Sequence, residues 1–530
     1  MGIYFDSWLT ELLVVLSLPI IYIYLKFVFI HYRFWKSRGV PYDEPTFPFG
    51  SLRDSFFGKL SMGLTIAKVY RKHKGKKIVG IYALQRPALV VRDPDLVRTV
   101  LVKDFQAFQD RGVTMDKRDP INRHLFALTG NEWKRLRVKL TPTFTSGKLK
   151  MMFSTMTDCG RELVSVLEKT AAKGEAEEMR ELVARYTTDV IASVAFGINA
   201  NCLQNPDSEF RQWGRKIFEP SFTKTITIIA HFLAPALGKL LKFSRSNEPP
   251  VTDHFRKMVS DTVKYRETNN VTRNDFMHLL IQLKNVGSVE DDKAASAGAD
   301  ADAARWIMKL QRSTFISELT LDDIAAQAFA FYLGGFETSS TTMSFALHEL
   351  AVNPGIQRKL QEEIDSVLEK GGQGLTYDAI SQMSYLEKVV SETLRKYPIV
   401  PILNRECGVD YKFAGSNMVI PKGTPVMISV FGLHRDPEHY PDPERFDPER
   451  FTEEAKAKRH PYVYIPFGEG PRNCIGMRFG LLQTKVGLVQ ILSKFNVETC
   501  DKTRANLRFS AKSFNLGSAD GIQLKLTKRS

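Results

Sequence analysis

Cys474 stands in the run PFGEGPRNCIGMRFG, Pro466 to Gly480, which places Phe467, Gly470, Arg472, Cys474 and Gly476 in the order F-x-x-G-x-R-x-C-x-G. Glycines on both sides free the backbone to turn tightly around the sulfur. The next stretch, MRFGLLQTKVGLVQILSKF, has helical periodicity, so the cysteine precedes a helix N-terminus with Arg472 close by. Amide donors, helix dipole and guanidinium all favour thiolate over thiol. A thiolate in a glycine-bounded loop is the axial ligand that haem iron takes in oxygen-activating proteins. Cys159, Cys202, Cys407 and Cys500 form no C-x-x-C pair and read as small buried residues. Zinc and dithiol redox chemistry therefore have little support.

A second group lies in GGFETSSTT, Gly334 to Thr342, inside a strong helical pattern. Two glycines there cost about 1 kcal/mol each against alanine. Such local rule-breaking suggests a functional constraint, with close helix packing through small residues as the equal alternative. Gly334 and Gly335 leave room for something bulky, and Thr338 can bond a carbonyl one turn back. Glu337 with Thr338 supplies a carboxylate and a hydroxyl able to relay protons. Glu392 and Arg395 lie three apart on a short helix, by themselves an ordinary surface pair. PDPERFDPERF adds Arg445 and Arg450 downstream.

These groups need elements to position them. Thr320, followed by Asp322 and Asp323, starts a helix that Asn353-Pro354 ends. Leu321 to Val352 would be a rod of about 48 Å, enough to cross a domain. Residues 78–92 read as a β-hairpin. Helical patterns dominate from about Pro94 to Val286. Lys216 to Phe243 is apolar and lysine-edged, suiting either core or a membrane-dipping surface. Residues 285–304 are low in complexity and read as a surface loop.

The N-terminus supplies a membrane anchor over residues 1–30. Leu12 to Leu25 is uncharged, and only Lys26 interrupts the apolar run to Ile30. Asp6 and Glu11 precede it, while Arg33, Lys36 and Arg38 follow, which puts the body on the cytoplasmic side. Residues 31–50, with Pro41, Pro45 and Pro48, read as a stiff hinge, and 51–530 as one catalytic domain. Lys plus Arg number 74 against 59 acids, a net charge of +15 that favours anionic partners. No zinc or recognition-helix motif points to nucleic acid. No strand–GxGxxG–helix fingerprint occurs, so electrons must come from another protein.

Taken together, these residues resemble the cytochrome P450 superfamily over nearly the whole chain. The Cys474 loop, Glu392/Arg395, Gly335–Thr338 and WKRLR at Trp133–Arg137 stand in family order. GVPY, HLFALTG, LTPTFTSGKLK, NRECGVDYKF and GLHRDPEHYPDPERF are similar to insect family six, and vertebrate family three is a more distant relative. The resemblance implies a mainly α fold with small β-sheets, a long central helix over haem b, and an N-terminal transmembrane helix. Cys474 would ligate the iron, with Phe467 packed beside it. Trp133, Arg137, Arg405 and Arg472 would bond the haem propionates, whose carboxylates suit such donors. Thr338, with Glu337, would deliver protons for dioxygen activation. Glu392, Arg395 and Arg450 would form a buried triad, Arg450 fitting the family spacing better than Arg445. Gly334 stands where the family usually has alanine.

Substrate contacts implied by the same resemblance are Phe126, Phe222 and its neighbours to Phe232, Phe329, Gly334, Phe336, Val400 to Leu403, Phe514 and Leu516. For Phe329 and Phe514, core packing is the equal alternative. The implied reaction inserts one atom of dioxygen into an apolar molecule such as a plant toxin or insecticide. Implied partners are the NADPH–cytochrome reductase, cytochrome b5 and the endoplasmic reticulum membrane. Lys134, Arg135, Lys139, Lys456, Lys458 and Arg459 could form a basic dock for an acidic flavoprotein. Two rivals remain: a haem-thiolate isomerase or dehydratase of lipid hydroperoxides, and a non-enzymatic haem sensor.

Overall fold

Asp323 N–H donates to Thr320 Oγ1 and Thr320 N–H to Asp323 Oδ2, both at 3.1 Å. This capping box starts the central helix at Leu321, and Asn353-Pro354 stops it after Val352. A computed structural model describes residues 8–113, 115, 118–218, 249–287, 289, 319–372, 374–413 and 418–529. Phe222, most of the apolar 216–243 stretch and most of the 285–304 loop lie outside the described residues.

The central helix is buried along most of its length, because other helices pack on it, chief among them Met179–Ile191, Pro249–Thr268, Ser384–Lys396 and Met477–Leu492. Their apolar faces form one continuous core. The molecule is mainly helical with small sheets. The hairpin β1 (Ile78–Ala83) and β2 (Arg86–Val91) forms where two β-rich runs flank a turn. With β4 (Ile402–Glu406) and β5 (Pro425–Ser429) it makes a sheet of order β1-β2-β5-β4, parallel only between β2 and β5. A second sheet, β3-β7-β6, joins Ala176–Glu178, Gln523–Lys528 and Phe495–Glu498.

Residues 8–38 include a helix long and apolar enough to cross a membrane, whose most apolar 18 residues have a mean hydropathy of 2.4 and are not buried. Within 31–50, residues 32–39 are turns and a short helix at Lys36–Arg38, and only 40–46 run extended; the segment does not stand off as a spacer. Trp35 is fully buried against β1 and donates from Nε1 to Ile81 O at 2.9 Å. Only glycine fits beneath it, since a Cβ on Gly80 would collide with the indole. Gly80 N–H donates to Pro41 O and Asp43 N–H to Gly80 O, so this stretch runs along the sheet edge.

Candidate active site

Gly468 and Gly470 have φ of 70° and 73°, and a Cβ on Gly470 would collide with Leu101 O. These two glycines let the chain double back, and Cys474 N–H closes the loop on Phe467 O at 2.9 Å. Gly476 follows with ordinary backbone and caps the helix Met477–Leu492. Of the five cysteines only Cys474 is exposed. Dense protein nevertheless surrounds it, so its Sγ lies at the floor of a recess. That burial raises the thiol above its ordinary value, against the pull of the Gly476 N–H, Arg137 and Arg111. The donors expected from the sequence are present, but desolvation outweighs them in the uncoordinated thiol.

Four guanidiniums gather near this sulfur. Arg137 donates from Nη1 to Asn473 O at 3.0 Å and from Nη2 to Asn473 Oδ1 at 2.7 Å. Arg472 reaches Gln109 O at 2.9 Å and Asp110 Oδ1 at 3.0 Å, and its Cζ stands 4.6 Å over the Trp133 ring. Arg405 lies on β4 and donates to Asn404 O at 2.9 Å. On the same strand face, Leu403 lies against Gly468. Arg111 was not singled out in the sequence. It donates to Phe126 O at 3.1 Å and Arg472 O at 3.4 Å.

Burial lowers all four; repulsion from neighbouring guanidiniums adds to it at Arg111, Arg137 and Arg405, while Asp110 opposes the lowering at Arg472. Arg405 falls to about 9, through burial and then Arg472. Arg137 and Arg472 fall to about 10, burial again leading. Arg111 is pushed well below its usual value by burial, then by Arg472, Arg405 and Arg137. Nε of Arg137, Arg405 and Arg472 is buried without a hydrogen-bond partner. Against these charges Asp110 is the only carboxylate in an ion pair with the cluster among the described residues. The cluster suits an added pair of carboxylates, with a thiol ligand close by.

Met477–Leu492 brings this loop to the central helix, where Gly480 lies against Ser339. The two helix glycines divide the readings made of them. Gly335 packs closely, since a Cβ there would collide with Ile191. Gly334 is exposed, with nothing within 4 Å of a Cβ. Thr338 Oγ1 donates to Gly334 O. Glu337 forms an ion pair with Arg180, a partner the sequence did not suggest.

Glu392 and Arg395 correct the surface-pair reading, because both are fully buried. Arg395 Nε and Nη2 grip the two Glu392 oxygens at 2.6 and 2.8 Å. Arg450 Nε stands 3.6 Å from the same carboxylate, and Arg445 offers only its carbonyl, to Arg395.

A family profile described as Cytochrome P450 matches residues 56–524. The chain belongs to that family. It is 41% identical over 521 residues to cytochrome P450 6k1 of Blattella germanica, covering 98% of this chain and 97% of the relative. It is 42% identical over 527 residues to cytochrome P450 6a2 of Drosophila melanogaster, covering 98% and 99%. Probable cytochrome P450 6a14 of Drosophila melanogaster is 43% identical over 505 residues, covering 94% and 96%. The chain is thus a P450 monooxygenase of insect family six, and its cofactor is haem with thiolate ligation. The guanidinium cluster and the lone accessible cysteine fit that group.

Other expected contacts of this P450 are scattered. Phe126 is 45% and Phe514 54% exposed. Phe329 is 1% exposed and packs 5.2 Å from Phe255, so it belongs to the core. Phe336 and Leu516 are also buried, and Leu516 N–H bonds Ile399 O at 2.8 Å. Of the six basic residues expected to dock a flavoprotein, Arg135, Lys456 and Lys458 are exposed and Lys134 half-buried. Lys139 is buried and leaves that surface, because its face of the Gly130–Leu140 helix turns inward. Arg459 is half-buried between the rings of Tyr440 and Phe451.

Proposed function

We propose that this P450 oxidises apolar xenobiotics such as plant toxins or insecticides at the endoplasmic reticulum, on NADPH electrons passed by a separate reductase. The carrying observation is the accessible Cys474 sulfur beside four crowded guanidiniums. Cys474 would hold the haem iron, and Trp133, Arg137, Arg405, Arg472 and Arg111 would hold its propionates. The haem, when bound, supplies dioxygen activation, which thiolate ligation favours.

The chain's own residues then control protons and space. Thr338 Oγ1 carries its proton on the Gly334 carbonyl and can exchange it with water at the exposed Gly334 face. Glu337, next in sequence and paired with Arg180, supplies the carboxylate of the proton relay. Open space at Gly334 lets a substrate approach the helix closely. Glu392, Arg395 and Arg450 brace the fold near the Cys474 loop. Exposed Arg135, Lys456 and Lys458 offer positive charge to the reductase, with cytochrome b5 as a second donor. The apolar helix within residues 8–38 supports an N-terminal anchor, and the following basic residues support a cytosolic body.

The test is spectral first and catalytic second. The reduced, carbon monoxide-bound protein should show a Soret band at about 450 nm that Cys474→Ser abolishes. Substrate loss should then require both NADPH and reductase, and Thr338→Ala should divert electrons from product to peroxide. Turnover of lipid hydroperoxides without NADPH would favour the isomerase, and a normal band with no turnover of any apolar substrate would favour the sensor.

A further inference from the structure

The 119–128 segment runs beside the guanidinium cluster and along the central helix, and buried side chains fasten it at several points. Gln327, fully buried on the central helix, accepts Leu125 N–H at Oε1, 3.0 Å. Its Nε2 donates to Arg123 O at 3.2 Å and to Asp323 O of its own helix at 3.1 Å. Asp119, 1% exposed, accepts from Thr252 Oγ1 on the Pro249–Thr268 helix at 3.0 Å. Arg111 donates to Phe126 O, and its Cζ stands 4.3 Å over the Phe126 ring.

A primary amide suits position 327 for a physical reason. The segment presents an N–H and a C=O two residues apart, and an uncharged amide carries both a donor and an acceptor. An apolar side chain there would strand both backbone groups in a dry interface. Helical geometry adds the second half of the argument. Gln327 and Gly334 are seven residues apart, so they lie on one stripe of the helix, about 10.5 Å from each other. Thr338 continues that stripe one turn further on. The tie to the segment therefore sits in line with the open face at Gly334, and the exposed Phe126 follows directly on the tied Leu125.

We propose that Gln327 is a positioning residue for specificity: it fixes the 119–128 segment and Phe126 against the central helix, and so sets which bulky ligands the site admits. This rests on the monooxygenase reading, in which the ligand lies over Gly334. Gln327 touches no ligand itself, and its effect passes through the segment. Small ligands that need only the iron are indifferent to it. Ligands large enough to press on the segment depend on its being held in place.

The experiment uses the full chain loaded with haem, and titrates imidazole and clotrimazole by difference spectroscopy. Both bind through an azole nitrogen, but only clotrimazole carries a bulky triphenylmethyl body. Gln327→Leu should weaken clotrimazole about threefold or more while imidazole changes less than about twofold. Thr252→Val, which removes one hydrogen bond at the other end of the segment, should weaken clotrimazole in the same sense. If Gln327→Leu fails to retain haem, Gln327→Glu keeps the acceptor for Leu125, loses the donor to Arg123, and carries the same expectation. An unchanged ratio of the two affinities, with the carbon monoxide band intact, overturns the proposal alone. A wild-type protein without that band overturns the monooxygenase reading and this proposal with it.

Discussion

Gly334 and Gly335 are neighbours on one helix with different surroundings, and alanine separates them. At Gly334 a methyl meets nothing within 4 Å, and helix propensity improves by up to about 1 kcal/mol. At Gly335 a methyl must push Ile191 aside, costing about 1–3 kcal/mol. Thermal unfolding should therefore show Gly334→Ala at or above the wild-type midpoint and Gly335→Ala below it. Glu392→Gln is the sharper case. It leaves the Arg395 charge buried with its carboxylate gone, which should cost about 3–5 kcal/mol in denaturant unfolding. The Cys474 loop was legible in sequence because its demands are local: glycines at two left-handed positions and a cysteine before a helix. Arg111 and Gln327 were not, because the partners that give them meaning lie far along the chain. Gln327 bonds residues more than 200 positions away.

Among elements, the helix ends and the hairpin were readable, since caps and turns act over a few residues. What sequence could not give was how one element grips the next. His434 is an instance. It is fully buried, its carbonyl accepts from Arg395 Nη1 at 3.0 Å, and its Nε2 accepts from Ile465 N–H at 2.9 Å. It thus ties the buried ion pair to the stretch leading into the Cys474 loop. Burial, and then the Arg395 charge, lower its pKa from 6.5 to about 3. Between those values the unfolded chain binds a proton that the folded chain refuses. Stability from this group is complete above 6.5 and is lost as pH falls toward about 3. Unfolding midpoints should accordingly fall between about pH 7 and about pH 5. His434→Gln, which keeps an acceptor for Ile465 and does not titrate, should flatten part of that slope. His124, lowered to about 4 chiefly by burial, should keep part of the rest, with His254, His278, His348 and His439, which burial also lowers.

At the scale of the molecule, the boundary between anchor and body falls earlier than the prolines suggested. Tyr32 is buried against Tyr82, which donates to its carbonyl, so a chain starting at Phe27 should unfold at the temperature of the full chain, whereas one starting at Val40, or Trp35→Ala, should lose about 3–5 kcal/mol. Calorimetry of the three would locate the edge of the cooperative unit. Composition misled here because Pro41, Pro45 and Pro48 announce an extended backbone but not what it lies against. Charge was legible only as a total. The net +15 says nothing of Lys139 turning inward or of four guanidiniums meeting around one recess.

That meeting of like charges has a consequence for abundance. Burying Arg111, Arg137, Arg405 and Arg472 close together counts against the folded chain, and added carboxylates would offset that cost. By mass action, whatever delivers that negative charge also holds the chain folded. A cell short of haem would then hold less of this protein, since the unbalanced chain goes to proteases before it can accumulate as idle enzyme.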